Sequence, residues 1–323
     1  MNFKRVSALV LALAMTSTTA AFADEKPEGW TPADGARDGL LISGNPFAGT
    51  YETVITINGE TLESYEYTRE IPDTWETETI TVQLADIAAV PAGYVPLRAV
   101  VQADHGSASW YKDENQSFFY LNGVSIVTDF NDMSVSLNDE KVEEAEALLI
   151  NGVTYIPVSV LENIEGVTVT DNSEGEVESY EISTPNGTPL MKLAYSVMDV
   201  AGMGMGMNNT PEELERYWGE NYGFKAEFMT EGVAFLGMMT VPDSILIGKM
   251  AEGAEESLKE SCEGYRKQQE ETFSWYLSQN LPKVENAKFV TEGDWFLFLI
   301  AENADEAVET FRAAVQAMNE TQE

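Results

Sequence analysis

The chain has 323 residues, with 55 Asp and Glu against 18 Lys and Arg, for a formal net charge of −37. A field of that sign repels nucleic acid, anionic lipid and anionic wall polymers, and it admits cations or basic surfaces as partners. The acids are spread along the whole chain, which reads as solubility outside the cell. One cysteine, Cys262, excludes an internal disulfide and a Cys-based zinc site, and one histidine, His105, excludes His-rich zinc catalysis.

The N-terminus reads as an export signal. Lys4 and Arg5 precede an apolar run from Val6 to Met15, and Ala21-Phe22-Ala23 makes an A-x-A cleavage pattern, so the mature chain is expected to start at Asp24. That run is too short to span a bilayer, and no later segment reaches the length of a span. Residues 24–50 are rich in Pro, Gly, Ala and Asp and read as a flexible leader. The protein is expected to be released, or held at the envelope by non-covalent contacts.

From Tyr51 the pattern becomes strand-like. Hairpin turns are expected at Asn58-Gly59, Asn122-Gly123, Asn138-Asp139 and Asn151-Gly152, each between β-branched or aromatic runs. Two stretches echo one another. Tyr94-Val95-Pro96-Leu97 and Tyr155-Ile156-Pro157-Val158 each lead into a short helix, then a glycine (Gly106; Gly166), then a strand. Proline ends the strand and opens the helix, and the glycine supplies the reversed backbone that stops it. Leu97, Val100 and Val101 share one helical face, as do Val158, Leu161 and Ile164.

Residues 185–189, PNGTP, read as an interdomain joint. Beyond it the chain is more helical and richer in methionine. Thr210, Pro211 and Glu213 make a capped helix start. Residues 251–277 read as a long amphipathic helix with Leu258, Cys262, Tyr265, Phe273, Tyr276 and Leu277 inward. A hairpin turning at Glu292-Gly293-Asp294 leads into Trp295–Ile300, apolar throughout and so expected inside a sheet. The first strand of that sheet is expected within FMTEGVAFLGMMT or SILIGKM. A last helix buries Ala304, Ala307, Val308, Phe311, Val315 and Met318. The order suggests a two-layer α+β domain. The fold class expected for the whole is α+β in two domains. The first is strand-rich with two echoed β-hairpin/short-helix units; the second is a small antiparallel sheet packed with amphipathic helices. The boundaries are signal peptide 1–23, leader 24–50, domains at 51–184 and 190–318, linker 185–189 and tail 319–323.

The motifs YVPLRAV, HGSASWY, FFYLNG and LLINGVTYIPVSVLENIEGVTV resemble the copper amine oxidase-like N-terminal domain of bacterial surface and secreted proteins, over residues 51–184. The first copy lacks the NGxxY turn of that pattern. The resemblance implies a small α+β stalk or accessory module and no amine oxidase activity, because oxidase chemistry belongs to a separate catalytic domain. Residues 190–318 resemble a family of unknown function in bacterial lipoproteins and secreted proteins. The features are a Met-rich opening helix, the VTEGDWFLFLIA hairpin and a final helix starting NADEAV. That resemblance carries no activity.

Type-2 copper of the oxidase kind resembles a three-imidazole site, which one histidine cannot make. Asp104-His105 reads instead as a turn with a partly exposed cation at a helix C-terminus. The stretch MDVAGMGMGMNN offers Met198, Met203, Met205 and Met207 as soft copper(I) ligands; adaptable packing is the competing and favoured reading. Asp129, Asn131 and Glu140 stand at EF-hand positions one, three and twelve, but Met133 at five and no Gly at six leave a strand with acidic ends. The acidic turn at 171–176 is open only to weak calcium binding. No G-x-S-x-G elbow, S-x-x-K step, Walker or dinucleotide fingerprint occurs in context. The expected function is an exported, non-enzymatic envelope or secreted scaffold that binds a protein, peptide or wall polymer, without cofactor. Metal handling by the methionines or acidic loops is the alternative, and hydrolysis by a carboxylate pair ranks last.

Overall fold

The computed structural model describes residues 52–70, 76–83, 92–150, 152–175, 177–204, 206–237 and 240–321. The signal peptide and leader, with Met205 and Asn151, lie outside the described residues. The described chain forms two compact units that divide between Thr188 and Pro189.

The first unit is built from short strands. In chain order they are β1 (Glu52–Ile57), β2 (Glu60–Thr61), β3 (Ser64–Glu70), β4 (Thr77–Gln83), β5 (Tyr94–Pro96), β6 (Ser107–Tyr111), β7 (Gln116–Leu121), β8 (Val124–Asp129), β9 (Ser134–Leu137), β10 (Glu140–Glu146), β11 (Leu148–Ile150), β12 (Val153–Pro157), β13 (Thr168–Asp171) and β14 (Val177–Ser183). Helices Leu97–Ala103 and Val158–Leu161 follow β5 and β12. The sheets run β13-β14-β1-β2, β10-β9-β8-β7-β6, β11-β12-β5 and β3-β4. The expected turns at Asn58-Gly59, Asn122-Gly123 and Asn138-Asp139 form. Asn58 and Gly59 have φ of 53° and 82°, and Asn122 and Gly123 have 45° and 81°. Both central residues are left-handed, the geometry that matches strand twist across a two-residue hairpin. The parallel pairing of β1 with β14 was not visible in local pattern.

The two echoed stretches meet. β5 and β12 pair antiparallel, with Tyr94 opposite Pro157, Val95 opposite Ile156 and Pro96 opposite Tyr155. Exchanging the two copies maps this register onto itself, so a local two-fold passes between Val95 and Ile156, both fully buried. The equivalent positions are 61 apart, and the spacing persists past the helices: β6 begins at Ser107 and β13 at Thr168. This register corrects the expected match of Gly106 with Gly166. His105 is the residue that stands where Gly166 stands, and both are left-handed, at φ 56° and 80°.

The asparagine turns also tie down the helix ends. Asn58 Nδ2 donates to the Ala103 carbonyl at 3.1 Å, and Asn122 Nδ2 donates to the Glu165 carbonyl at 3.0 Å. The Ala103 carbonyl, at a helix C-terminus, lacks an intrahelical partner and Asn58 supplies one, while Asn122 holds the turn that follows the helix Val158–Leu161. Leu97, Val100, Val101, Leu161 and Ile164 are buried as expected, while Val158 is partly buried against the same core.

The second unit is one antiparallel sheet, ordered β15 (Met207–Asn209), β16 (Met229–Leu236), β17 (Ser244–Met250), β19 (Trp295–Ile300), β18 (Lys288–Glu292). Both candidate stretches for its first strand hold strands, β16 and β17, and the short β15 precedes them. The expected two layers are three, because helices cover both faces. Ile245, Ile247, Trp295, Leu297 and Leu299 pack with helices Pro189–Ala201 and Ala304–Thr321. Leu246, Phe296, Phe298 and Ile300 pack with helices Pro211–Tyr222 and Glu255–Trp275. Successive side chains on a strand point to opposite faces, so a strand buried on both reads as an unbroken apolar run.

The start of the Pro211–Tyr222 helix is a reciprocal cap. Thr210 N–H donates to Glu213 Oε2 at 2.9 Å, and Thr210 Oγ1 accepts from the Glu213 N–H at 3.3 Å. The long helix begins at Glu255 and ends at Trp275, shorter than the expected 251–277. Gly253, at φ 78°, breaks it at one end, and Leu277, at φ 52°, lies past the other. Tyr276 is therefore half exposed rather than part of the buried stripe.

Candidate functional site

The helix Leu97–Ala103 ends in a tight turn. The N–H groups of His105 and Gly106 donate to the carbonyls of Gln102 (2.9 Å) and Val101 (2.8 Å). Gly106 is needed at the next step, where a Cβ would overlap the Tyr120 carbonyl oxygen across the β6–β7 pair. The glycine expected to reverse the backbone thus serves close strand approach, and His105 makes the reversal.

Asp104 is almost fully buried. Its Oδ1 accepts from the Asn186 N–H and its own carbonyl accepts from Asn186 Nδ2, both at 2.8 Å. Burial raises its carboxyl above the usual range, against the lowering effect of the Asn186 N–H. Asn58 grips the same segment, accepting from the Thr184 N–H at 2.8 Å. A Cβ on Gly187 would overlap the Asn58 side chain. Pro185–Gly187, the first part of the expected interdomain joint at 185–189, thus belongs with the first unit.

Burial pushes the His105 imidazole down to about 4, so it is neutral at pH 7. The ring is partly exposed as expected, but its desolvation works against the expected helix-end cation. The folded value lies below the unfolded one, so the unfolded chain binds the extra proton between pH 6.5 and 4. The stability His105 permits at neutral pH is lost as pH falls through that window. Urea denaturation of the parent and a His105→Gly variant at pH 7.5 and 4.5 isolates the effect from the many carboxylates. The parent is expected to lose about 2 kcal/mol relative to the variant between those pH values.

Three of the four candidate methionines are among the described residues. Met198 is buried in the helix Pro189–Ala201, and Met203 packs against the same core. The Met203 N–H donates to the Met198 carbonyl at 3.1 Å, closing the helix end. Met207 is 57% exposed on the edge strand β15. The calcium-like positions are spent on the β8–β9 turn and the next hairpin. Asp129 accepts from the Asn131 N–H at 2.8 Å and from Gln116 Nε2 at 2.6 Å, and Glu140 opens β10. Among the described residues no three His, Cys, Asp or Glu side chains are grouped to hold a metal. Cys262 is buried in the second core, and burial raises its thiol pKa.

Two features escaped the sequence reading. In the second unit Ser244 Oγ and Tyr265 Oη share a buried hydrogen bond at 2.9 Å, and Trp218 stacks on Tyr265 with ring centroids 4.3 Å apart. In the first unit, Tyr111, Phe118 and Tyr120 stand exposed on one face of the β10-β9-β8-β7-β6 sheet. The alternation of QSFFYL signalled a strand; it could not choose the outer face, because both faces of β7 carry aromatics.

These units define a two-part α+β protein whose first part is a duplicated strand-helix-strand module. Residues 76–179 match the family model of the copper amine oxidase N-terminal domain. Residues 209–301 match that of a domain of unknown function, DUF4358, so the two families follow one another in the expected order. Both matches are shorter than the spans the motifs suggested. The first family is the non-catalytic part of copper amine oxidases, so the match implies no amine oxidase activity. No curated protein and no solved structure matches the chain. Among the described residues no helix is long and apolar enough to cross a membrane.

Proposed function

We propose that the protein is an exported, non-enzymatic scaffold and binding protein, secreted or held at the cell envelope by non-covalent contacts. The observation that carries this reading is how Asp104-His105 is used. The one histidine forms the turn of a duplicated module, and its neighbouring carboxylate holds the backbone of Asn186. A catalytic base needs to reach a substrate proton, and Asp104, buried in that turn, does not present its carboxylate to solvent. The partner is an extracellular protein, peptide or uncharged wall polymer, since the chain's charge of −37 repels polyanions.

N-terminal sequencing after expression in an export-competent bacterium tests the first half of the reading. The expected result is a processed chain beginning at Asp24 in the envelope or medium. An unprocessed chain beginning at Met1 and retained in the cytosol would overturn export.

A further inference from the structure

The outer face of the β10-β9-β8-β7-β6 sheet differs from the rest of this acidic chain. Phe118 and Tyr120 alternate on β7, about 7 Å apart along the strand, and are 36% and 52% exposed. Tyr111 is 49% exposed and sits edge-on to Phe118 at a centroid distance of 4.7 Å. Register places Ser109 opposite Phe118 and Ser107 opposite Tyr120 on one side. On the other side Val127 lies opposite Phe118 and Ser125 opposite Tyr120. These two rows, across three strands, carry no charged side chain; charge begins at their margin, where the Tyr111 row runs through Gln116 to Asp129 and Ser136, next to Val127, lies opposite Lys141. Beneath them Ala108, Phe119 and Ile126 are buried, so the platform is backed by the core.

We propose, resting on the binding reading above, that this face binds a linear uncharged polysaccharide. A pyranose ring offers an apolar C–H face to an aromatic ring and a rim of hydroxyls to flanking serines. Alternating rings and serine hydroxyls on a flat sheet present both. The other occupants of an aromatic patch fit less well. Stacked nucleic acid also needs cations along its backbone, and these rows have none. Protein interfaces are enriched in aromatics as this face is, but also in arginine and methionine, which these rows lack, and they are depleted in serine, which makes up half of these rows. An uncharged polymer approaches a −37 chain without electrostatic cost.

Native affinity electrophoresis of the mature full-length chain, in gels carrying soluble glucomannan, hydroxyethylcellulose or dextran, is the test. Retardation by at least one of these polymers is expected. Tyr120→Ala and Phe118→Ala are each expected to weaken it about three- to tenfold, and Tyr120→Phe to retain most of it. Trp275→Ala removes a side chain that is 80% exposed in the other unit and is expected to change nothing. Unchanged far-ultraviolet circular dichroism confirms that the exposed-ring variants fold. No retardation by any of the three polymers would overturn the proposal and leave the broader binding reading standing. So would retardation that is equal in all variants, or a dimer that Tyr120→Ala dissolves. Release of reducing ends from a retained polymer would overturn the non-enzymatic reading and leave the site in place.

Discussion

Gly106→Ala is expected to destabilise the first unit by about 3 kcal/mol, while His105→Gly, one position earlier, stays within about 1 kcal/mol of the parent. The contrast follows from what each backbone position does. At 106 a methyl group would overlap the Tyr120 carbonyl oxygen, with a Val101 methyl carbon also close, so β6 must move away from β7. That shift breaks into a ladder of five paired residues, Ser107 with Tyr120 through Tyr111 with Gln116. At 105 the backbone is left-handed, φ 56°, which suits glycine better than histidine. The equivalent position in the second copy is Gly166 at φ 80°. Relief of that strain offsets the loss of a partly buried ring and the extra freedom of glycine in the unfolded chain. Amide exchange at Tyr120 and urea denaturation measure both variants. A benign Gly106→Ala together with a crippling His105→Gly would show that the roles are reversed.

Trp218→Ala is expected to cost the second unit about 3–5 kcal/mol, the range for deleting a large aromatic from a closed core. Trp218 is 2% exposed and meets four rings: Tyr222, Phe224, Tyr265 and Phe298. These come from two helices, the segment between them and the sheet, so the cavity cannot close by moving one neighbour. Tyr265→Phe is the graded control. It removes the hydroxyl bonded to Ser244, but Ser244 Oγ still donates to the Pro242 carbonyl at 2.9 Å. The expected loss is about 1 kcal/mol, that of one hydrogen bond with its remaining group still satisfied. Protection of the β17 amides against exchange reads both. A Trp218→Ala loss no larger than that of Tyr265→Phe would mean that the cluster does not close this core.

Local chemistry made much of the fold legible. The Asn58-Gly59 and Asn122-Gly123 pairs favour left-handed hairpin turns, and the turns stand there. Trp295–Ile300 is apolar without alternation because helices cover both faces of its sheet, and the final helix buries the stripe that its period marks. What depends on distant pairing was not legible. Nothing within β1 reveals its parallel partner more than a hundred residues later, and nothing within 295–300 reveals which helices cover its two faces. The two-fold between β5 and β12 was half visible. Sequence matched glycine to glycine, Gly106 to Gly166, because glycine is a conspicuous marker. Backbone torsion matches His105 to Gly166, because left-handed geometry at the helix end is what the module repeats.

The reading of the site changed for the same reason. His105 is conspicuous as the single histidine, yet its place is a turn position and burial keeps it neutral. The rings at 111, 118 and 120 were inconspicuous, since strands commonly carry aromatics and only the assembled sheet shows which face is open.

The central claim is that this chain binds without catalysing. Its most direct test incubates the purified mature protein with envelope polysaccharide and with peptide mixtures, following saturable binding and released product together. The account predicts saturable binding and no product, for the parent and for Asp104→Asn alike. Product release by the parent that a single carboxylate substitution abolishes, with folding intact, would contradict it.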